Sequence, residues 1–298
     1  MVFLDVLLPV VLVAGCGVLI GRLIDRDPAI LTKLAFYVLT PALLFYAIYS
    51  RPVSSAALGT VFLFVFVFHG FLFVGGYLGS RALGLERDTR TAVTLTLSMS
   101  NTGNYGLPIL LFAFKEAGFA LGLLYILAHM AFQITFGAGI ASWRKGMSIW
   151  RLPLNLLKVP WIYAFGLALL LRATETVLPE PLSRPIQLLY QAAIPMMLLL
   201  LGIQLAQVRL RGVIGEAIPL TLVKLIVPPL LAWGLTSALG VHGLLRSVLI
   251  VEASTPAAVN SLILSLQYNR RPDLASSVVF LTTIGSLGTM GILLTLLA

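Results

Sequence analysis

The chain has 298 residues, 59% of them hydrophobic and 10% charged, with a mean hydropathy of +1.01. Ordinary soluble domains carry roughly 25% charged residues, so this composition excludes a water-soluble enzyme or binding module and indicates an all-α integral membrane protein. The net charge of +9 would suit a nucleic-acid binder, but no nucleic-acid motif and no aromatic–basic interleaving lies outside the apolar runs.

Ten apolar stretches are long enough for a hydrocarbon core of about 30 Å: 2–21, 30–49, 56–79, 90–113, 118–142, 153–171, 185–206, 213–239, 244–267 and 273–297. In the first, Val13-Ala14-Gly15-Cys16 looks like a lipoprotein cleavage site. Asp5 occupies the would-be basic region and the apolar run continues to Gly21, so a retained span is expected. Cys16 is the sole cysteine, which excludes an intrachain disulfide. The pairs Gly17/Gly21, Gly75/Gly79 and Gly118/Gly122 have the small-xxx-small spacing that lets helices approach closely. Fourteen Lys and Arg residues fall in the odd-numbered connections and five in the even ones, with Lys224 inside a span. That bias puts the odd loops in the cytoplasm and both termini on the extracytoplasmic side of the cell (inner) membrane.

The two halves repeat. At an offset of 156, Ala82-Leu83-Gly84 meets Ala238-Leu239-Gly240, Ser98 meets Ser254 and Asn104 meets Asn260. Pro41 meets Pro195 at 154, and Pro9 and Gly15 meet Pro160 and Gly166 at 151. Each half, 1–149 and 150–298, holds five spans, an odd number, so the halves must run in opposite senses through the bilayer as an inverted 5+5 repeat.

Spans 4 and 9 are interrupted in corresponding places. The first reads Ser100-Asn101-Thr102-Gly103-Asn104-Tyr105-Gly106-Leu107-Pro108, the second Ser254-Thr255-Pro256-Ala257-Ala258-Val259-Asn260. Counted at 1.5 Å per residue, both breaks lie roughly 15 Å deep. Irregular backbone at that depth is tolerated only inside protein or along a cavity, and paired breaks point to the binding site of a secondary transporter. Gly103 and Gly106 relax the backbone. Pro108 suits the first turn of the next half-helix, and Pro256 removes a donor. Asn101, Asn104, Thr255 and Asn260 offer short polar groups for freed backbone or for a ligand. Exposed half-helix N-termini would seat a carboxylate. The competing explanation is two plain kinks with Asn as interhelical glue.

Ionisable groups inside a membrane are functional candidates by default. Lys224 and Glu252 lie at mid-depth, either as counter-charge and proton acceptor or as a self-neutralising pair joining spans 8 and 9. His69 and His129 are also deep; each is a proton-carrying candidate or a buried donor satisfied by a carbonyl. The histidines have no metal-ligand spacing, so no metal and no cofactor is expected, and the coupling ion is left between H+ and Na+.

The span-4 run from Asn101 to Pro108 resembles the motif of the auxin efflux carrier family, which includes bacterial malonate-type carriers and plant PIN proteins within the bile acid/auxin/arsenite transporter superfamily. Glu252-Ala253-Ser254-Thr255-Pro256-Ala257-Ala258, Gln267-Tyr268-Asn269 and Pro272-Asp273 are similar to its partner segment. Leu201-Gly202-Ile203-Gln204-Leu205 resembles the family's span 7, and Lys224 with Pro228 its span 8. The resemblance implies ten helices with two broken ones crossing, and a substrate site at the crossover. It also implies a scaffold of spans 1, 2, 6 and 7, a mobile core of spans 3–5 and 8–10, elevator-like alternating access and a homodimer through the scaffold. The long central loop of many plant members is absent, which argues against auxin itself.

The expectation is therefore a carrier of a small organic anion, a carboxylate by preference, embedded in the lipid bilayer and with no nucleic-acid partner. Its rivals are a sodium-coupled symporter of the bile-acid type, a passive channel and an intramembrane enzyme. The last lacks an aspartate-rich diphosphate motif, a Ser/His dyad and an HExxH run.

Overall fold

The computed structural model describes residues 3–23, 29–51, 54–137, 159–208 and 213–297. The connection 143–152 with Arg144, Lys145 and Arg151 lies outside them, as do Arg26, Lys158, Arg209 and Arg211. Among the described residues everything regular is helical apart from one isolated antiparallel bridge between Ser100 and Ala257.

Helix α1 (Leu8–Leu23) follows a π-helical turn, Phe3–Leu7. The second apolar stretch is α2 (Ala29–Leu34), a π turn Ala35–Leu39, and α3 (Thr40–Ser50). Pro41 has no N–H to give, and Thr40 satisfies the Ala35 carbonyl with both its N–H and its hydroxyl. Helix α4 (Ser55–Ala82) starts where the Ser54 hydroxyl accepts the Ala57 N–H, 3.1 Å, and is followed by Gly84 at φ +69°. Helix α5 (Arg87–Ser98) stops at mid-stretch, and a π turn Thr102–Gly106 leads into α6 (Leu107–Phe132).

The α6 run is a hairpin. Lys115 adopts φ 56°, ψ −159° inside it. A Cβ on Gly122 would meet Leu110 and Leu107 side chains, yet fifteen residues of straight helix would separate 107 from 122 by about 22 Å. The chain therefore reverses at Lys115 into helices 107–114 and 116–132. The remaining helices are α7 (Pro160–Ala173), α8 (Glu180–Ala206), α9 (Ile214–Ala238), α10 (Gly243–Ala253), α11 (Val259–Gln267) and α12 (Pro272–Leu297).

Seven of the described helical runs are long and apolar enough to cross a bilayer, against ten stretches expected. The difference has identifiable sources. The hairpin about Lys115 merges the second part of stretch 4 with stretch 5 into Thr102–Phe136. Stretch 9 is divided between α10 and α11, and only Pro160–Ala173 of stretch 6 is a described helix.

Helix α1 packs along α8, α3 against α7 and α8, α4 against α5 and α6, and α9 and α11 against α12. The α1–α8 contact is backbone on backbone: a Cβ on Gly17 would overlap the Leu199 carbonyl, and one on Gly202 the Ala14 carbonyl. Gly21 is less tight, with Ile203 and Ala206 about 3 Å from a Cβ there, and Gly118 packs on Phe114 inside the hairpin. Gly75 and Gly79 are different, with nothing within 4 Å of a Cβ; their neighbour Gly76 makes the contact, against Thr94 and Leu97. Large apolar side chains such as Leu78, Leu230 and Ile292 point outward, as helices solvated by lipid require.

Candidate functional site

The two interrupted segments meet. Met99–Asn101 runs antiparallel to Pro256–Ala258: the Asn101 N–H donates to the Pro256 carbonyl, 2.8 Å, and the Ala258 N–H to the Met99 carbonyl, 2.9 Å. The Thr282 hydroxyl accepts the Ala257 N–H, 3.1 Å. Backbone left without helical partners is thus satisfied across the two segments, as burial away from water demands.

The two helix ends at this meeting are capped differently. At the end of α5 the Leu97 carbonyl accepts from Lys224 Nζ, 2.9 Å, and the Ser98 carbonyl from His69 Nδ1, 2.8 Å. Lys224 Nζ also donates to Ser100 Oγ, 2.8 Å. At the end of α10 the chain caps itself: Ser254 Oγ donates to the Ile250 carbonyl, 2.6 Å, and Thr255 Oγ1 to the Glu252 carbonyl, 2.8 Å. Thr255 and Pro256 therefore shape backbone and do not reach the cavity described next, and buried Pro108 sits in the first turn of α6.

A cavity of ≈ 130 Å³ lies against the joined segments. From them it is lined by Ser100 through Asn104 and by Ala258, Val259 and Asn260; α6 and its following turn add His129 and Gln133. Its other wall is Phe36 and Thr40, Trp161 of α7, and Met197 and Gln204 of α8. That wall is braced by Trp161 Nε1 donating to the Phe36 carbonyl, 2.6 Å. The volume far exceeds one water site, and among the described residues no acidic one lines it. Two buried amide atoms on opposite walls have no partner, Asn101 Nδ2 and Gln204 Oε1. Of the sequence candidates, Asn101, Gly103, Asn104, Asn260 and His129 line the cavity, while Lys224 is one hydrogen bond behind it through Ser100.

From the cavity wall a polar chain runs inward. Asn260 Nδ2 donates to Gln133 Oε1, 3.2 Å, and Gln133 Nε2 lies 3.3 Å from His129 Nε2. The His129 ring stacks on His69 with centroids 4.0 Å apart. His69 Nε2 accepts from the Tyr125 hydroxyl, 2.9 Å, so both His69 nitrogens are engaged. Ser100 lies in the first interrupted run and Gln204 in the span-7 motif, while Tyr125 and Gln133 carry no sequence signal beyond a polar group in an apolar stretch.

Lys224 and Glu252 do not form the self-neutralising pair weighed from the sequence. No ion pair joins them, Lys224 spends its donors on α5, and neither Glu252 carboxyl oxygen has a hydrogen-bond partner. Glu252 is fully buried and lies against Gly106 and Gly122, where a Cβ at either glycine would press on its carboxyl oxygens.

Two further hollows are present, one of them continuous with the site. One of ≈ 670 Å³ shares Thr32, Gln204 and Val259 with the cavity and reaches Lys33, Gln207 and Asp273. The other, ≈ 500 Å³, holds Tyr46, Arg51, Glu116 and Tyr190, and in it the Tyr190 hydroxyl donates to Glu116 Oε2, 2.6 Å. Near the first, Arg270 pairs with Asp88, and Arg271 with Asp273 and Glu216. The hydrogen bond to Asp273 pushes the Arg271 guanidinium up from its ordinary value.

A family model described as "Membrane transport protein" matches residues 5–294. An uncharacterised transporter of Methanocaldococcus jannaschii is 28% identical over 297 residues, covering 96% of each chain. One of Methanothermobacter thermautotrophicus is 27% identical over 270 residues, covering 90% of this chain and 88% of the relative. The apolar helices, the meeting of the two interrupted segments and the whole-chain match agree: the chain is a multi-pass membrane transporter belonging to the auxin efflux carrier family of membrane transport proteins.

Proposed function

We propose that this transporter is a secondary carrier of a small organic anion, a carboxylate, in the cytoplasmic membrane. The supporting observation is the cavity at the joined segments, which has an unpartnered buried amide donor at Asn101, half-helix N–H groups nearby and no acidic lining among the described residues. Asn101, Asn104, Asn260 and the turn at Gly103 form the seat. Thr255, Pro256 and Pro108 hold its backbone, and Lys224 supplies positive charge from behind Ser100.

In this reading the chain crosses the membrane ten times as an inverted 5+5 repeat, with spans 4 and 9 broken and crossing and both termini extracytoplasmic. Helices α1–α3, α7 and α8 are the scaffold and the rest the moving core; a homodimer would form through the scaffold. The lining drawn from both groups supports an elevator-like movement, because a solute there lies between the two bodies. The hollow by Lys33 and Asp273 leads toward odd-numbered loops and the Tyr190–Glu116 contact closes the even side, which describes an inward-open carrier.

Proton coupling is assigned to Glu252, with His129 as a second titratable group at the cavity wall. A buried carboxyl without partners is costly to ionise, so its charge state can follow occupancy. Uptake of labelled mono- and dicarboxylates into proteoliposomes tests the proposal. Saturable uptake driven by an inward proton gradient is expected; non-saturating flux would indicate a channel, and a sodium requirement a symporter of the bile-acid type.

A further inference from the structure

The end of α5 is where a transporter would be expected to hold a metal cation. Unwound carbonyls and half-helix C-termini at such breaks coordinate Na+, and the last turn of a helix carries partial negative charge. Here the Leu97 carbonyl and Ser100 Oγ converge on one point, and that point is filled by Lys224 Nζ at 2.9 and 2.8 Å. Lys224 is 0% exposed. Its nitrogen has no carboxylate within ion-pair distance among the described residues, so the ammonium is not there to neutralise an acid. The matching end of α10 needs no cation, since Ser254 and Thr255 hydroxyls take its carbonyls.

We infer that Lys224 is a tethered cation standing in the coordination site of a monovalent metal ion, so that the interrupted helix is held together without sodium. The inference deepens the carrier reading and rests on it only for the transport consequence, which is sodium-independent uptake. A lysine ammonium brings one positive charge and up to three donors, and unlike a dissolved ion it cannot leave with the solute. Through Ser100, which lines the cavity, the ammonium is within reach of an anion there.

The test is thermal unfolding of the purified full chain in sodium-free buffer and after adding Na+, NH4+ or methylammonium at constant ionic strength. The unaltered protein should be indifferent to the cation. Lys224→Ala, which vacates the site, should gain about 5 °C from methylammonium or Na+ near a hundredfold excess over Kd. Lys224→Met fills the space without donors and should gain nothing. A midpoint that rises with Na+ in the unaltered protein, or a Lys224→Ala variant indifferent to every cation, overturns the inference. If Lys224→Ala does not fold, the unaltered protein decides together with Lys224→Gln, which keeps a donor for Leu97 and should also be indifferent; a sodium response in either is fatal. A carboxylate titration on the same samples separates the two proposals: cation results as expected with no carboxylate response would refute the anion carrier and leave the role of Lys224 standing.

Discussion

Glu252 gives the account its sharpest consequence, because function and stability should move in opposite directions. Both carboxyl oxygens are buried without a hydrogen-bond partner. Leaving a buried polar group unsatisfied costs about 1–3 kcal/mol, a cost that an apolar side chain of similar volume removes. Methionine is close in length to glutamate and adapts to irregular space, so it fits the gap that Gly106 and Gly122 leave around the carboxyl. Glu252→Met should therefore raise stability by about 2 kcal/mol, an increase of roughly 4 °C in Tm at the scale of large single domains. Thermal unfolding in detergent reads that shift. Uptake assayed across pH with Glu252→Gln reads the other half, and its pH dependence should disappear. A Glu252→Met variant that melts well below the parent would mean that the carboxyl has a partner in the folded protein. Unchanged pH dependence in Glu252→Gln would remove Glu252 from coupling.

Three other substitutions bear on separate parts of the account. Gly202→Val places side-chain atoms where the Ala14 carbonyl of α1 already is; overpacking of this kind costs typically about 1–3 kcal/mol, more when backbone must yield, and Tm should fall. Tyr190→Phe removes the hydroxyl that bonds Glu116, so a cysteine placed at Ala47 in the same hollow should react faster with an impermeant thiol reagent. An unchanged rate would remove that contact from gating. Gln204→Leu takes from the α8 wall of the cavity a buried amide oxygen that no donor meets; leaving such a group unsatisfied costs about 1–3 kcal/mol, so Tm should rise, and a clear fall would mean that the oxygen has a partner in the folded protein.

The sequence carried the membrane class and the family plainly, because each rests on local chemistry. Apolar length marks spans, and Gly, Pro and Asn in an apolar run mark a break. It did not carry what the freed backbone does, since pairing of Met99–Asn101 with Pro256–Ala258 joins residues more than 150 positions apart. The same distance hid the partner of Lys224. Two opposite charges at equal depth suggest each other, yet Lys224 faces the end of α5 and Glu252 faces two glycines. Thr255 looked like a ligand group by type and proved to cap α10, a choice that depends on which carbonyl its rotamer meets. Gln133 stands alone near the end of a span, where a polar side chain is ordinary, and nothing local marks it as facing Asn260. Gly75 and Gly79 show the limit of spacing rules: the period was right for packing, but the helix turns that face away from its neighbours.

Binding of carboxylates to the unaltered protein and to Asn101→Ala, followed by thermal unfolding against a panel of mono- and dicarboxylates and neutral analogues, tests most directly whether the joined segments seat an anion. For a true ligand the stabilisation follows RT ln(1 + [L]/Kd). At least one carboxylate should raise the Tm of the unaltered protein, and loss of a hydrogen bond to a charged group, about 1.5–3 kcal/mol, should raise its Kd about tenfold or more in Asn101→Ala. Stabilisation by neutral or cationic compounds alone, or an equal carboxylate response in both proteins, would contradict the assignment.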